Sequence, residues 1–365
     1  MCAKTLHRAK ELQDAWATIS ESLGFKENQQ KALLLCANRS KQKAVEVGFP
    51  LEQIQPTICV LGVDLSKNNA TPNGDKRLQE AIRRCERLQK VPVSYQSRSK
   101  IIATSILPLA CWGWIQQRLS KNKAAKLQRQ ISKALWKHAL GSPYLSSLLS
   151  GHSLDAVFQA GRTAMRMYPT SPTVGAWLET MGWRSRGEGR WHHPTLRRCI
   201  AIRPAISPEN QRLVREAWRQ DLWRKFTNSQ RRDANSLPPS ERVYNETTCA
   251  RTRQCFYKQD SHARAVLVGA ACSDAIYDVI DGSRPEPQCH WCSAHVVPDW
   301  HHHAWECSAF ADTRPGRPVS YLAQRFGWQI GSCHDADILE HLAHVRAKLA
   351  ESRRPAAGGA RLRRG

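Results

Sequence analysis

Three cysteines and a run of histidines near residue 300 constrain this sequence more than any other feature. Cys289 and Cys292 are separated by two residues, and Cys307 follows three consecutive histidines at positions 301–303. With His302 the spacing is C-x2-C-x9-H-x4-C, and three thiolates with one imidazole match the four ligands of a tetrahedral zinc ion. Because four protein ligands leave no open position for water, the pattern predicts a structural zinc site.

The pattern does not decide which histidine supplies the imidazole ligand. The segment Trp300 to Phe310 is predicted to be a short helix, in which residues four apart share a face. That geometry favours His303, which precedes Cys307 by four residues, whereas His302 precedes it by five and needs a looser first turn. Both histidines remain candidates on the residues alone. The alternative is a Cys-rich helical module with unrelated surface histidines.

The charge balance predicts a polyanionic partner. The chain of 365 residues carries 55 Lys and Arg against 31 Asp and Glu, a formal net charge of +24. So many positive charges repel one another in a compact state, and a bound polyanion relieves this repulsion. RNA or DNA is the leading candidate and an anionic membrane surface the second. A codon bias that raises the arginine content without any binding role is the remaining alternative.

Cysteine usage and hydropathy predict an intracellular location. The 13 cysteines are odd in number and scattered among helical segments, unlike a secreted disulfide framework. The N-terminal residues lack the apolar region of a signal peptide. The longest apolar run, Ile101 to Ile115, is interrupted by polar residues and is too short to span a bilayer. We therefore predict a nuclear or cytoplasmic protein that is not secreted and has no membrane partner.

Apolar periodicity predicts a mainly α fold with a small β portion at the N-terminus. A first helix ends at Gly24 and leads to a strand that closes at Leu35, and a second strand spans Ile58 to Leu65. Further helices are predicted at Gly74–Lys90, Arg98–Ile115 with a kink or end at Pro108, Asn122–Leu140, Leu154–Met167, Ser207–Phe226 and Ser261–Val279. The polar segment 227–248 is predicted to be a linker.

Three of these helices, between residues 74 and 140, are predicted to form a bundle with basic outer faces. Their apolar stripes are Leu78, Ala81, Ile82, Cys85 and Leu88 on the first helix and Ala125, Leu127, Ile131, Ala134, Leu135 and Trp136 on the third. The basic residues beside them either solvate the bundle or contact nucleic acid. Residues 183–193 alternate aromatic and basic residues around glycines, so they either stack on bases or form a β-hairpin whose tryptophans pack inward.

Motifs in the first third of the chain resemble a known family. Gly24, Asn28 and Lys31 fit the pattern Gly-x-x-x-Asn-x-x-Lys, and a Leu-Gly-Val strand follows at 61–63. A longer motif is present as Arg98, Ile101, Ile102, Ile106, Leu107, Pro108, Ala110 and Gly113. In this order the motifs resemble the end of the palm and the thumb of a non-LTR (LINE-type) retrotransposon reverse transcriptase.

The resemblance implies a division of the chain and selects the zinc ligands. The resemblance implies a palm-end remnant (1–72), a thumb-like helical bundle (73–142) and a helix with a CCHC zinc-finger module (249–330). Composition predicts a basic Trp/Arg-rich connector (143–248) and a C-terminal helix with a disordered arginine-rich tail (331–365). The finger of this family is followed by an arginine, here Arg314. The implied ligands are Cys289, Cys292, His302 and Cys307, with His303 as the alternative.

The basic faces and the resemblance together imply contacts with nucleic acid. The predicted contact residues are Lys31, Arg83, Arg84, Arg87, Arg98, Lys100, Lys126, Arg129, Lys133, Arg184, Arg186 and Arg190. Polymerisation, however, needs clustered carboxylates that hold magnesium ions, and this family supplies them upstream of the segment at Gly24. Asp14 and Asp64 are single carboxylates without a partner at the spacing of a catalytic hairpin.

We therefore predict a nucleic-acid-binding fragment with no catalytic residues that is inactive as a polymerase on its own. One alternative is a portion of an RNA-directed DNA polymerase that acts, with magnesium, beside a separately supplied catalytic half. Another is a zinc-stapled protein-interaction scaffold. The sequence predicts no oligomeric state.

Overall fold

A computed structural model describes residues 4–25, 33–36, 40–60, 63–66, 72–112, 121–136, 141–167, 169, 171–202, 206–280 and 282–353. Helix makes up 64% and strand 5%, which confirms the predicted mainly α fold with small sheets. Across these ranges, no helix combines the length and apolar character needed to cross a membrane.

The helices and strands follow one another along the chain in short connections. The α-helices are α1 (Leu6–Ser22), α2 (Lys41–Glu46), α3 (Pro72–Lys90), α4 (Tyr95–Ile101), α5 (Leu107–Cys111), α6 (Lys121–Trp136), α7 (Pro143–Ser150), α8 (Ala156–Met167), α9 (Pro172–Thr180), α10 (Pro208–Thr227), α11 (Arg232–Asn235), α12 (Pro239–Arg242), α13 (Glu246–Phe256), α14 (Ser261–Leu267), α15 (Asp274–Ile280), α16 (Tyr321–Phe326) and α17 (Asp335–Ser352). The strands are β1 (Leu34–Leu35), β2 (Ile54–Gln55), β3 (Thr57–Val60), β4 (Val63–Ser66), β5 (Arg184–Ser185), β6 (Arg190–His193) and β7 (Arg198–Ala201).

The strands form three small sheets. β1 pairs with β2 in parallel, β3 pairs with β4 in antiparallel fashion, and β5, β6 and β7 form an antiparallel sheet in that order. The single strand predicted from Ile58 to Leu65 is wrong, because Thr57–Val60 and Val63–Ser66 are two separate strands that pair in antiparallel fashion. Residues 61 and 62 lie outside the described residues.

Helices α3 and α6 pack against each other through the apolar stripes that periodicity predicts. The buried residues of α3 include all five predicted ones, Leu78, Ala81, Ile82, Cys85 and Leu88. On α6 the stripe is buried at Leu127, Ile131, Ala134 and Leu135. Ala125, however, is exposed and Ala124 is buried in its place. The first buried residue of this stripe therefore lies one position earlier than predicted.

The helix predicted to begin at Arg98 begins earlier and continues through Pro108. After α4 the chain forms a π-helical turn at Ile102–Ile106 and then continues as α5. A π turn bonds residues five apart, and its wider path accommodates the proline, which lacks an N–H, without ending the helix. Gly113 and Ile115, at the predicted end of this helix, lie outside the described residues.

One cluster of buried side chains extends from Leu78 in α3 to Leu349 in α17. The predicted linker at 227–248 is wrong, because it contains α11 and α12 and buries Ala234 and Leu237 in this cluster. A smaller cluster near the N-terminus consists of Cys36, Ala44, Phe49 and Ile54.

The single helix predicted from Ser261 to Val279 is two helices. α14 ends at Leu267, and Gly269 follows with a φ of +72°, a left-handed conformation that commonly ends helices. A Cβ at Gly269 would lie 3.0 Å from the ring of Phe326, so the glycine also lets α16 approach closely. The break places the start of α15, at Asp274, beside the cysteine segment described below.

Candidate metal centre

The segment that carries Cys289 and Cys292 is a tight turn. The N–H of Cys289 donates to the carbonyl of Ala294 (2.9 Å), and the N–H of Ser293 donates to the carbonyl of Cys289 (2.7 Å). Ser293 has a φ of 60°, a left-handed conformation that reverses the chain. The turn therefore holds the two sulfur atoms within 4.8 Å of each other.

The segment that carries His302 and Cys307 is a π-helical turn, and this explains the histidine spacing. The π turn spans His302–Glu306, and the N–H of Cys307 donates to the carbonyl of His302 at 2.8 Å. Because a π turn bonds residues five apart, residues i and i+5 lie on the same side. The carboxylate of Asp299 accepts the N–H of His302 at 2.8 Å and fixes the start of this turn.

The four predicted ligands form one group. The sulfur atoms of Cys289 and Cys307 are 4.0 Å apart, the Cys292 sulfur is 3.4 Å from His302 Nε2, and all four ligand atoms lie within 4.8 Å of one another. A tetrahedral zinc ion, with sulfur at about 2.3 Å and nitrogen at about 2.0 Å, separates its ligands by about 3.5–3.8 Å. The group therefore fits a metal ion of this size. The separation of 4.0 Å between Cys289 and Cys307 is about twice a disulfide bond.

Burial sets the protonation of the ligand atoms. It raises the pKa of the Cys307 thiol to about 12 and also raises the pKa of Cys289. Burial acts in the same direction on Cys292, but the N–H of Ala294 and the neighbouring thiols outweigh it and hold that pKa below its ordinary value. Burial lowers the pKa of His302 and keeps its imidazole neutral, which is the form that binds metals. A divalent cation would replace the remaining thiol protons.

The π turn is anchored to the last two helices. Trp305 Nε1 donates to the carbonyl of Gln324 at 3.2 Å, and His341 Nε2 donates to the carbonyl of Ala304 at 2.6 Å. Arg314, the arginine that the resemblance places after the finger, donates to the carbonyl of Cys307. The metal group is thus part of the main core and is not a separate appendage.

His303 lies outside the ligand group. Its side chain is fully buried, and its Nε2 is 3.3 Å from Asp274 Oδ2. The Asp274 carboxylate also accepts from Trp291 Nε1 at 3.1 Å and lies 3.4 Å from Arg353 Nε. Burial raises the pKa of Asp274, but its contacts with His303 and Trp291 outweigh burial and hold the pKa below its ordinary value.

Asp274 therefore joins the cysteine turn, the π turn and the end of α17. Sequence reasoning did not assign it this role. Its partners Trp291 and Arg353 are 17 and 79 residues away, so no local spacing marks it.

Most of the predicted nucleic-acid contacts lie at the surface, on separate elements. On α3, Arg83 and Arg87 are exposed and Arg84 is half-buried. The others at the surface are Lys100, Lys126, Arg129, Arg184, Arg186 and Arg190, which are exposed, and Lys133, which is half-buried. Lys31 and Asn28 of the first motif lie outside the described residues.

Arg98 is the exception, because its side chain is buried and does not lie at the surface. Its side chain is 3% exposed. The guanidinium donates to the carbonyl of Val91 at 2.9 Å and to that of Ala134 at 3.3 Å. These carbonyls lie at the C-terminal ends of α3 and α6, where helices leave backbone acceptors unpaired. Arg98 therefore caps two helices from inside the core.

Two alternatives were open for the Trp/Arg-rich stretch at 183–193, stacking on bases and a β-hairpin. The structure shows the β-hairpin. Trp183 is 1% exposed and Trp191 is 8% exposed, so both rings pack inward and are not available to stack on bases. Arg184 and Arg190 remain exposed on the strands.

The Cys3His group stands alone among the described residues, since no other group of three or more His, Cys, Asp or Glu has ligand spacing there. Comparisons of the chain with protein-family models, curated proteins and solved structures gave no match. A functional assignment therefore depends on the residues and contacts described above.

Proposed function

We propose that this protein binds RNA or DNA through the phosphate backbone, as a C-terminal part of a non-LTR retrotransposon reverse transcriptase, with a structural zinc ion in its Cys3His group. One observation carries the proposal: the cations of α3 and α6 lie on the outer sides of two helices whose inner sides are buried against each other. The packing of the two helices therefore holds these cations in fixed positions at the surface. The net charge of +24 is in keeping with a polyanionic partner.

Few carboxylates neutralise the outer side of α3. Glu80 lies 3.9 Å from Arg83, 3.1 Å from Arg84 and 2.7 Å from Arg87. One carboxylate cannot neutralise three guanidinium groups, and exposed pairs of this kind contribute little to stability. On α6, Lys126 has no ion-pair partner among the residues that the structure describes. Phosphate groups can therefore compete for these cations at little cost.

The sheet of β5, β6 and β7 adds a second basic surface. Trp191 pairs with Ile200 in the register of β6 and β7, and both are buried. Because side chains alternate between the two faces of a sheet, Arg190 lies on the face opposite Trp191. Arg184, which pairs with His192, lies on that same outer face. Both arginines are exposed and free to approach a backbone phosphate.

The donor set of the metal group favours zinc in a structural role. Three thiolates and one imidazole are soft or intermediate donors, which disfavour magnesium and calcium. Four protein ligands also leave no position for an activated water molecule. Three thiolates with one divalent ion carry a formal charge of −1, so the loaded group would not attract phosphate. We therefore assign it to holding the π turn and the cysteine turn together.

The salt dependence of binding tests this proposal. Fluorescence anisotropy with labelled single-stranded RNA and duplex DNA should show little sequence preference and a steep loss of affinity with salt. If about five phosphates are neutralised on duplex DNA, the affinity falls by about 10⁴-fold for a tenfold rise in salt. Equal affinity at low and high salt would contradict the proposal.

A charge-matched pair of variants locates the contact. Combining Arg83→Gln, Arg87→Gln and Lys126→Gln should lower the salt slope by about 2–3. The control combines Lys258→Gln, Arg284→Gln and Arg317→Gln, three exposed cations on other elements, and should leave the slope within about 1 of the original. Similar losses in both variants would indicate attraction by net charge alone.

A second candidate, the portion of an RNA-directed DNA polymerase that acts with a separate catalytic half, is favoured by α1. Trp16 and Ile19 of this helix and Leu23, which directly follows it, recur at helical spacing and are 52%, 51% and 65% exposed. An apolar strip of this kind fits a polypeptide that covers it. Primer extension by the purified chain with magnesium would contradict both candidates. Metal-dependent folding without any RNA affinity would instead favour the protein-interaction scaffold.

A further inference from the structure

A cavity away from the metal group is lined by three arginines, none of them among the predicted contacts. It lies between the turn joining β6 to β7 and the first turns of α10, and its volume is about 410 Å³, within the range of about 300–1,000 Å³ for ligand sites. The lining residues are Arg197, Arg198, Cys199, Glu209, Asn210, Arg212 and Leu213. Three arginines and one glutamate give a formal charge of +2, so the cavity suits an anion.

The three guanidinium groups have no visible structural task. Arg197, Arg198 and Arg212 are exposed, and their side chains form no ion pair or hydrogen bond within the described part of the chain. They come from three places, the β6–β7 turn, the start of β7 and the second turn of α10. Like charges brought together in this way repel one another unless an anion lies between them.

The backbone at Arg197 is strained. Its φ is 51°, in the left-handed region that glycine or asparagine usually occupies in such a turn. The N–H of Arg197 donates to the carbonyl of Pro194 at 3.3 Å, which closes the turn. A long basic side chain where glycine would be relaxed is the kind of strain that collects at functional sites.

The walls of the cavity are held in place before any ligand binds. His193, the last residue of β6, is buried, and its Nε2 donates to the carbonyl of Met181 at 2.9 Å. Its Nδ1 then accepts the N–H of Leu196 at 3.1 Å and fixes the turn that carries Arg197. On the other wall, Asn210 Nδ2 donates to the carbonyl of Ala201 at 2.9 Å, which ties α10 to β7.

We propose that this cavity binds a phosphate group of a nucleic-acid backbone, with the guanidinium groups of Arg197, Arg198 and Arg212 as donors. Arginine offers a planar set of donors that matches two phosphate oxygens. Leu213 and Cys199 are the only apolar residues of the described lining, and no aromatic ring is among them, so the cavity fits a phosphate better than a base. Such a contact positions the strand without reading its sequence. The inference rests on the proposed function and adds a discrete anchoring point to it.

The test compares two triple variants of the full chain in the same anisotropy assay. Combining Arg197→Gln, Arg198→Gln and Arg212→Gln should weaken RNA binding by about tenfold or more relative to the control variant. The control with Lys258→Gln, Arg284→Gln and Arg317→Gln removes the same charge away from the cavity. If the two variants bind RNA equally well, the cavity site is wrong while the proposed function stands. If the unaltered chain does not bind RNA, the proposed function itself fails.

Arg197→Gly separates ligand binding from folding. Glycine relieves the left-handed strain, so the variant should unfold at the same or a higher temperature while its RNA affinity falls. Unchanged RNA affinity in this variant would overturn the inference. The inference would also be overturned if a polyglutamate peptide bound the unaltered chain but not the cavity variant, while the cavity variant still bound RNA.

Discussion

His302→Ala is expected to abolish stoichiometric zinc binding, whereas His303→Ala is expected to retain it. The two histidines are adjacent and both are buried, at 5% and 0% exposure, so each serves as the control for the other. Only His302 places a ring nitrogen within 3.4 Å of a ligand sulfur, that of Cys292. The metal content of the purified variants measures the difference directly.

The stability of the two variants should also differ. Loss of a closed structural zinc site removes its binding free energy from folding, so His302→Ala should lower the free energy of unfolding by on the order of 5 kcal/mol. His303→Ala removes a buried contact with Asp274 and should cost about 1–3 kcal/mol. Zinc retained by His302→Ala and lost by His303→Ala would show that the helix follows α spacing and that the π turn is wrong.

Arg98→Met is expected to destabilise the bundle of α3, α4 and α6 by about 3 kcal/mol. The substitution keeps an apolar stem but removes the cation from the carbonyls of Val91 and Ala134. Each buried acceptor that is left unpaired costs about 1–3 kcal/mol, and the favourable placement of a cation at two helix C-termini is lost as well. The midpoint of unfolding in urea measures the effect.

Lys100→Met is the control for Arg98→Met, because Lys100 lies on the same helix and is exposed. It should change stability by less than about 0.5 kcal/mol while it weakens binding to RNA. If Arg98→Met had normal stability and weakened RNA binding, Arg98 would be a surface contact to nucleic acid and not a buried helix cap.

Sequence patterns predict those elements whose structure is decided by residues that lie close together along the chain. The stripe from Leu78 to Leu88 on α3 is buried as periodicity requires. The ligands Cys289 and Cys292 are separated by only two residues, so a single turn suffices to bring them together. In such cases every interaction that decides the structure lies within a few residues along the chain.

The remaining features depend on partners that are distant in sequence or on rare backbone geometry. The periodicity of 3.6 residues cannot reveal the π turn between His302 and Cys307, and it therefore points to His303. The buried position of Arg98 depends on Ala134, which is 36 residues away. The break at Gly269 accompanies the close approach of Phe326. No short window of sequence contains both members of the last two pairs.

The metal group is integrated into the fold through both of its segments. Cys289 and Cys307 belong to the main buried cluster, and the π turn contacts α17 through His341. Loss of the metal should therefore loosen the packing of α17 as well as the two turns.

X-ray absorption at the zinc edge of the purified full chain is the most direct measurement of this centre. We predict one zinc ion per chain with three sulfur ligands at about 2.3 Å and one nitrogen ligand at about 2.0 Å. A first shell of nitrogen and oxygen alone, or a chain that folds normally without any bound metal, would contradict it.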